Sequence, residues 1–312
     1  MTRRCIQFVF SLWLGAIAVL SAGSARDAHA LAPLDYIGPD SVKVAPPIPA
    51  TGQSAKLTIN ASTVVAAQVD EQSFAVRPGN ILELRAKIAL GYAEVIGSYT
   101  LVQDLGALEA GTYTVQYIAE ARRIDQQYTG ETKSWSWQLV VVDPMAKRNA
   151  IEYYNLTRNH YFDTSLPLEI DMLDSDQISG WDRTGQSIQV VSPTASAAGF
   201  ADVCRFYGLP EAGLDTLFYS AYRSECDSLI ATGAGAWVLE SDDAFRIFPV
   251  DLATGACPLG LLPVHRAWNG LAAVNHRYTT SAATLAEMVA KGWIAEGTGP
   301  NVAVWCALPP GN

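Results

Sequence analysis

Two histidines with similar neighbours are the residues whose types best fit binding chemistry. His160 lies in the run 159–161, and His276 lies in the run 275–278. Imidazole can transfer a proton, bind a metal or hydrogen-bond a ligand, and aromatic rings beside amides suit saccharides or short peptides. We predict a ligand-binding set and no catalytic or metal-binding residues. The set is Asn159, His160, Tyr161, Asn275, His276 and Tyr278.

Catalytic motifs are lacking in the sequence. Gly-x-Ser-x-Gly, His-Glu-x-x-His and the phosphate-binding Gly-x-x-x-x-Gly-Lys do not occur. Glu169 with Asp171, and the acidic run 240–243, would serve glycoside cleavage only if two carboxyl groups faced each other across a cleft at about 5–10 Å. A secreted hydrolase is therefore an alternative to a non-enzymatic binding protein. A purely structural envelope component is the third possibility, and no cofactor is expected.

The first 30 residues predict export. Arg3 and Arg4 precede an apolar core over residues 8–20, and Ala28-His29-Ala30 fits a small-x-small cleavage site. The core is shorter than the roughly 20 apolar residues that a membrane-spanning helix needs. We predict a signal peptide over 1–30, cleaved after Ala30, and a secreted or periplasmic chain without a membrane span.

The net charge argues against nucleic acid as a partner. The 312-residue chain has 21 Lys+Arg against 31 Asp+Glu, a net charge of −10, and its hydrophobic fraction of 49% is ample for packed cores. Contacts with a phosphate backbone need clustered basic residues, which this sequence does not have.

Four cysteines follow the predicted cleavage site, and an even number in an exported chain predicts two disulfides. Nearness in sequence favours Cys204–Cys226 and Cys257–Cys306 among the three possible connectivities. A four-thiolate zinc site is disfavoured, because the paired short spacings that such sites use are absent.

The first half of the chain predicts a β-sandwich. Residues 31–53 form a proline-rich leader or linker, and short runs of alternating apolar and polar residues fill 54–144. Such alternation is typical of half-buried antiparallel strands, and about seven of them fit an immunoglobulin-like sandwich. Residues 105–115 resemble a corner of bacterial immunoglobulin-like and fibronectin-like modules. Trp135 and Trp137 share one strand face, and their alternation with serine favours a core position over a sugar-stacking platform.

The second half of the chain repeats one order of landmarks three times. An aromatic opening, a second strand, a helical run and a tryptophan recur in copies at about 151–200, 203–255 and 263–308. The tryptophans are Trp181, Trp237 and Trp293. We predict a mostly β, two-domain chain whose C-terminal part, 151–308, has one short helix per repeat and pseudo-threefold symmetry. A linear stack is the rival arrangement.

The repeat pattern N-H-x-[FY]-x-T-S, followed by a helix and G-W, resembles a tandem-repeat domain of unknown function in secreted bacterial and fungal proteins. The resemblance covers about residues 151–308 and places His160 and His276 at equivalent positions, with Leu217 in the second copy. It implies architecture and secretion but no catalytic activity. The predicted function is an exported binding or adhesion protein, with a saccharide or cell-surface polymer as the partner of the repeats.

Overall fold

The computed structural model describes residues 32–92, 95–195 and 199–310. The predicted signal peptide lies outside the described residues. Within those ranges, no helix is long and apolar enough to cross a membrane. The described chain is mostly β, as predicted, with several sheets and three α-helices.

Seven strands build the N-terminal sandwich. They are β1 Ser41–Ala45, β2 Ser54–Thr63, β3 Ala67–Arg77, β4 Ile81–Leu90, β5 Gly97–Ala107, β6 Gly111–Arg123 and β7 Thr132–Val141. One sheet has the order β1-β2-β5 and the other β3-β4-β6-β7, where only β4 and β6 run parallel. A short 3-10 turn, Pro33–Tyr36, precedes β1. Within the predicted leader, β1 thus forms an edge strand, a position that tolerates nearby prolines.

The two sheets share one apolar core. Along β6 the side chains of Tyr113, Val115 and Tyr117 are buried, and the residues between them are more exposed. Trp135 and Trp137 pack against this core, and Trp135 stacks on Tyr117 with ring centroids 5.3 Å apart. Both tryptophans are thus partly buried at the margin of the core, and the serines that alternate with them are exposed.

Three successive segments follow, and each runs strand, strand, helix, strand. The first segment is β8 Lys147–Asn155, β9 His160–Thr164, α1 Pro167–Asp174 and β10 Asp182–Val191. The second segment is β11 Ala201–Gly208, β12 Thr216–Ser220, α2 Arg223–Thr232 and β13 Trp237–Ile247. The third segment is β14 Leu262–Trp268, β15 His276–Thr279, α3 Ala282–Ala290 and β16 Ile294–Glu296, and β17 Trp305–Ala307 then pairs with β14. Short 3-10 turns occupy Pro144–Ala146 and Pro210–Ala212.

The middle strands of the three segments lie against one another. The first two segments share a six-stranded sheet, β12-β11-β13-β10-β8-β9, and the third has its own sheet. Each of β9, β12 and β15 contacts the other two. Tyr219 Oη donates to the Asp163 carbonyl at 2.6 Å, and Tyr278 Oη donates to the Tyr219 carbonyl at 2.7 Å. These buried bonds join the segments at the strands where all three meet.

The sandwich and the three segments pack within one compact unit, Pro33–Asn312. A shared apolar cluster joins Val140 and Val142 of the sandwich end to Val191, Phe248 and Leu261 of the segments. The region between residues 142 and 147 is therefore a packed junction.

Both favoured disulfides are present. Cys204–Cys226 joins β11 to α2 inside the second segment, and Cys257–Cys306 joins the loop before β14 to β17. The two bridges close loops with sequence separations of 22 and 49 residues, and in the chain-entropy model the longer loop gains more stability.

Candidate functional site

Strand pairing defines which residues of the three segments correspond. Tyr161 pairs with Tyr154, Leu217 with Tyr207, and His276 with Trp268. His276 therefore occupies the position of Tyr161 and Leu217, one residue away from the position of His160. The sequence pattern had aligned the two histidines. Because side chains alternate along a strand, this shift of one residue sends them to opposite faces.

His160 and Asn275 are the true counterparts, and both are buried at contacts between segments. His160 Nδ1 donates to the carbonyl of Asp215 at 2.6 Å, and burial lowers the pKa of this imidazole. Asn275 is fully buried and its Nδ2 donates to the carbonyl of Asn159 at 2.6 Å. These two predicted ligand-binding residues therefore have structural roles in the described chain.

The other four predicted residues do not form one pocket. Tyr278 is buried at the contact of the middle strands, and Asn159 is exposed with its Oδ1 accepting from Tyr154 at 2.7 Å. Tyr161 is half-buried beneath the guanidinium of Arg277, 4.5 Å from the ring centroid. His276 lies elsewhere, in a groove beside α2.

A repeated ionic clamp holds neighbouring segments together. Arg205 of β11 binds Glu169 of α1 through both Nη atoms at 2.8 and 2.7 Å, and its Nε lies 2.9 Å from Glu240. Arg266 of β14 repeats the arrangement with Glu225 of α2 at 3.0 and 3.1 Å. Each arginine thus joins its own segment to the helix of the preceding one.

The clamp also includes a second carboxylate. In the second and third segments this carboxylate stands three residues after the tryptophan, Trp237 or Trp293. Arg266 Nε donates to Glu296 at 2.9 Å, where Arg205 contacts Glu240. The guanidinium groups lie over Phe162 and Phe218, at 5.5 and 5.0 Å. Sequence reasoning missed the two arginines, although both stand directly before the aromatic opening of a copy.

The third contact between segments has the charges reversed. Glu152 of β8 stands where Arg205 and Arg266 stand, and it accepts from Arg277 of β15 at 2.8 and 2.9 Å. Thr184 Oγ1 donates to the same carboxylate at 2.5 Å, in the place of Glu240 and Glu296. All three pairs of segments are therefore joined by a buried ion pair.

The groove beside α2 is the candidate site. A cavity of about 410 Å³ lies between the second and third segments, and we call it the α2 groove. Half-buried Trp237 and buried Phe218 form its aromatic side, with ring centroids 6.1 Å apart. The polar side presents four groups from α2, β14, β15 and β16: Glu225, Arg266, His276 and Glu296.

Two small side chains on α2 explain why space is available in the α2 groove. Ser224 and Ser228, one helical turn apart on α2, line the cavity. When Glu169 and Glu225 are aligned, the corresponding residues of α1 are Leu168 and Met172. Serine is much smaller than leucine or methionine, so α2 leaves room at a place where α1 carries bulky side chains.

His276 is neutral and incompletely hydrogen-bonded in the α2 groove. Burial and the nearby Arg266 lower its pKa to about 3, although Glu225 opposes this shift. Nε2 lies 3.5 Å from Glu296 Oε2, and buried Nδ1 has no hydrogen-bond partner among the described residues. A buried polar atom without a partner is uncommon in a folded protein.

The two groove carboxylates are held by one guanidinium. Burial alone would raise the pKa of Glu225, but the hydrogen bonds from Arg266 outweigh it and hold the pKa below its usual range. Burial likewise opposes charge on Arg266, but Tyr278 and the two carboxylates outweigh burial and raise the pKa of Arg266 above the ordinary value. The site is therefore rich in acceptors. Over the described part of the chain, no three His, Cys, Asp or Glu side chains are grouped to hold a metal ion.

This geometry lies within a region that matches a known family model. Residues 152–303 match the family described as a domain of unknown function, DUF5648. The predicted domain of unknown function in the C-terminal half is thereby confirmed. No curated protein and no solved structure matches the chain. The α2 groove and all three ionic contacts lie inside the DUF5648 region.

Proposed function

We propose that the protein is an exported, non-enzymatic binding or adhesion protein that holds a saccharide or cell-surface polymer in the α2 groove. The observation that carries the proposal is the combination in one groove of a half-buried indole, Trp237, with the imidazole of His276 and the partly exposed carboxylate of Glu296. Sugar rings stack their apolar faces on aromatic groups and direct hydroxyls to polar side chains.

The architecture in this proposal is an immunoglobulin-like sandwich that presents a closed ring of three repeats. Closure is supported by the mutual contacts of β9, β12 and β15 and by the ion pair at each contact between segments. A linear stack would leave the first and third segments apart, whereas Arg277 and Glu152 join them. A rigid ring suits a binding site that is shared by two repeats.

Export is supported by the character of the first 30 residues and by the two disulfides. Disulfides persist in oxidising compartments and are rare in the cytosol. Placement outside the cytoplasm also brings the α2 groove to the compartment where cell-surface polymers occur.

The hydrolase alternative has less support than binding. Glycoside cleavage needs a carboxyl group that can donate a proton, usually one with a raised pKa. In the α2 groove, Glu225 has a lowered pKa, and both Glu225 and Glu296 bind Arg266. This arrangement favours a site that accepts hydrogen bonds without proton transfer.

The test is an array of glycans and cell-wall polymers probed with the purified chain and with Trp237→Ala. Trp181→Ala is the matched control, because Trp181 holds the corresponding place in the first segment and lies outside the groove lining. We expect binding that Trp237→Ala abolishes and Trp181→Ala retains, with both variants folded by circular dichroism. Equal loss in both variants, or no binding by the parent chain, would contradict the proposal.

A further inference from the structure

We propose that the α2 groove selects saccharides that present hydrogen-bond donors, with unacetylated amino sugars preferred, and that it rejects anionic glycans. This inference rests on the proposed function and names the ligand class of the same site. It follows from how the charged groups of the groove are already paired. In this proposal, hydroxyl and ammonium groups of the ligand donate hydrogen bonds to the carboxylate oxygens of the groove.

Arg266 has no free face for an anion. Its Nε donates to Glu296 and its two Nη atoms donate to Glu225, so three of its five N–H groups are already bound to carboxylates. Its side chain is only 7% exposed. An arginine that recognises a carboxylate or sulfate does so with an accessible bidentate edge, whereas the Nη edge of buried Arg266 is already bound to Glu225.

The remaining groups of the groove accept hydrogen bonds or are neutral. The side chains of Glu225 and Glu296 are 37% and 29% exposed, and Glu296 Oε1 makes no hydrogen bond with a described residue. His276 remains uncharged, since its pKa is about 3. Two carboxylates against one guanidinium leave the groove negative. An ammonium group is therefore attracted, and a uronate or sulfate is repelled.

The aromatic and small residues determine how the ligand would lie. Trp237 lines the same groove as the carboxylates, and its half-buried indole supplies apolar surface there. Ser224 and Ser228 leave space along α2, and their hydroxyls can bond to a ring that stacks on Trp237. A β-1,4-linked chain presents alternating ring faces and equatorial substituents, so one residue can stack while its C2 amino group points to the carboxylates.

Titration calorimetry with three tetrasaccharides tests the charge selection. The probes are deacetylated glucosamine tetramer, cellotetraose and galacturonate tetramer, at a pH where the amines are protonated. Glucosamine and cellulose oligomers differ only in the C2 substituent, which isolates the ammonium group. We expect the amino tetramer to bind about five- to tenfold more tightly than cellotetraose, as a charge-assisted hydrogen bond predicts. No binding of the galacturonate is expected.

Three outcomes distinguish a failure of this inference from a failure of the proposed function. Galacturonate binding equal to or tighter than that of the amino tetramer would overturn the charge selection and leave a saccharide-binding groove standing. Failure of all three probes, with silence across the glycan array, would overturn both. Equal binding of the amino and neutral tetramers would overturn the preference for the amine.

Matched variants locate the selectivity in the groove. Glu296→Gln keeps the shape and removes one charge, so the advantage of the amino tetramer over cellotetraose should fall about threefold or more. Glu240→Gln makes the same change at the corresponding position of the second segment, outside the groove lining, and should leave the advantage intact. Equal effects of the two variants would contradict the assignment.

A steric variant tests the space itself. Ser224→Leu with Ser228→Met transfers the side chains of Leu168 and Met172 to exposed positions of α2. We expect at least about tenfold weaker binding of the amino tetramer, because the bulk fills the cavity. Ala231→Leu, on an exposed position of the same helix outside the lining, is the control and should bind normally. Unchanged binding by the double variant would place the ligand elsewhere.

Discussion

His160 of the first segment donates through Nδ1 to the backbone carbonyl of Asp215 in the second, at 2.6 Å. Asn275 makes the corresponding bond from the third segment to the first, onto the carbonyl of Asn159. The second segment has Thr216 at this position, fully buried, with an Oγ1 that has no partner among the described residues. The first residue of the middle strand region thus bonds to another segment where its side chain is long, as in His160 and Asn275, but not where it is the shorter Thr216.

His160→Ala is expected to lower the stability of the fold and to leave saccharide binding unchanged. The substitution removes the donor to a buried carbonyl and opens a cavity, which costs about 1–3 kcal/mol. Urea unfolding followed by circular dichroism measures the loss. His160→Asn is the conservative control, because Asn275 already performs this role, and it should recover most of the stability. Loss of binding in a folded His160→Ala protein would contradict the structural role.

Thr216→Val is expected to stabilise the protein. The two side chains have the same shape, and valine removes a buried hydroxyl that lacks a hydrogen bond in the described chain, a gain of about 1 kcal/mol. Denaturant midpoints of parent and variant give the difference. Thr164→Val is the comparison, since Thr164 Oγ1 donates to Glu169 at 2.5 Å and its removal should be destabilising. A destabilised Thr216→Val would show that the hydroxyl has a partner.

Asp163 should make stability decline as the pH rises. Burial and the neighbouring Glu152 raise the pKa of this carboxyl well above its usual range, although Arg277 opposes the shift. Because the folded state holds the proton more tightly than the unfolded chain, the free energy of unfolding falls from about pH 4 upward until the folded pKa is passed.

Asp163→Asn removes this titration, so the variant should gain stability relative to the parent chain at neutral pH and less at acid pH. Unfolding free energies across the pH range provide the measurement. Asp182→Asn changes an exposed aspartate and should give a curve parallel to that of the parent. A neutral-pH stability of Asp163→Asn below that of the parent would refute the protonated state.

Arg205→Ala should be among the most destabilising single substitutions in the second segment. It leaves Glu169 and Glu240 facing each other without their cation, and breaking a largely buried pair in this way costs about 3 kcal/mol. Arg223→Ala removes an exposed ion pair with Asp227 and should cost less than about 1 kcal/mol. Thermal unfolding of the two variants compares them directly, and similar losses would rule out a clamp.

The periodicity of the sequence was sufficient for the β-rich character, the core-facing side of Trp135 and Trp137, and the order of elements in each segment. These features depend on near neighbours: apolar alternation defines a strand face within a few residues, and a helix after two strands has its own local signals. The cysteine pairing also followed from nearness along the chain, because each disulfide closes a short or moderate loop.

The tertiary structure alone decided the candidate site. The connection from Trp268 to His276 is longer by one residue than the connection from Tyr154 to Tyr161. Because of this extra residue, Asn275 takes the position of His160, and His276 points to the opposite face of the strand. The clamp pairs Arg205–Glu169 and Arg266–Glu225 join residues 36 and 41 positions apart, in different segments. Because strand side chains alternate with a period of two and ion pairs form across space, register and packing determine which residues meet.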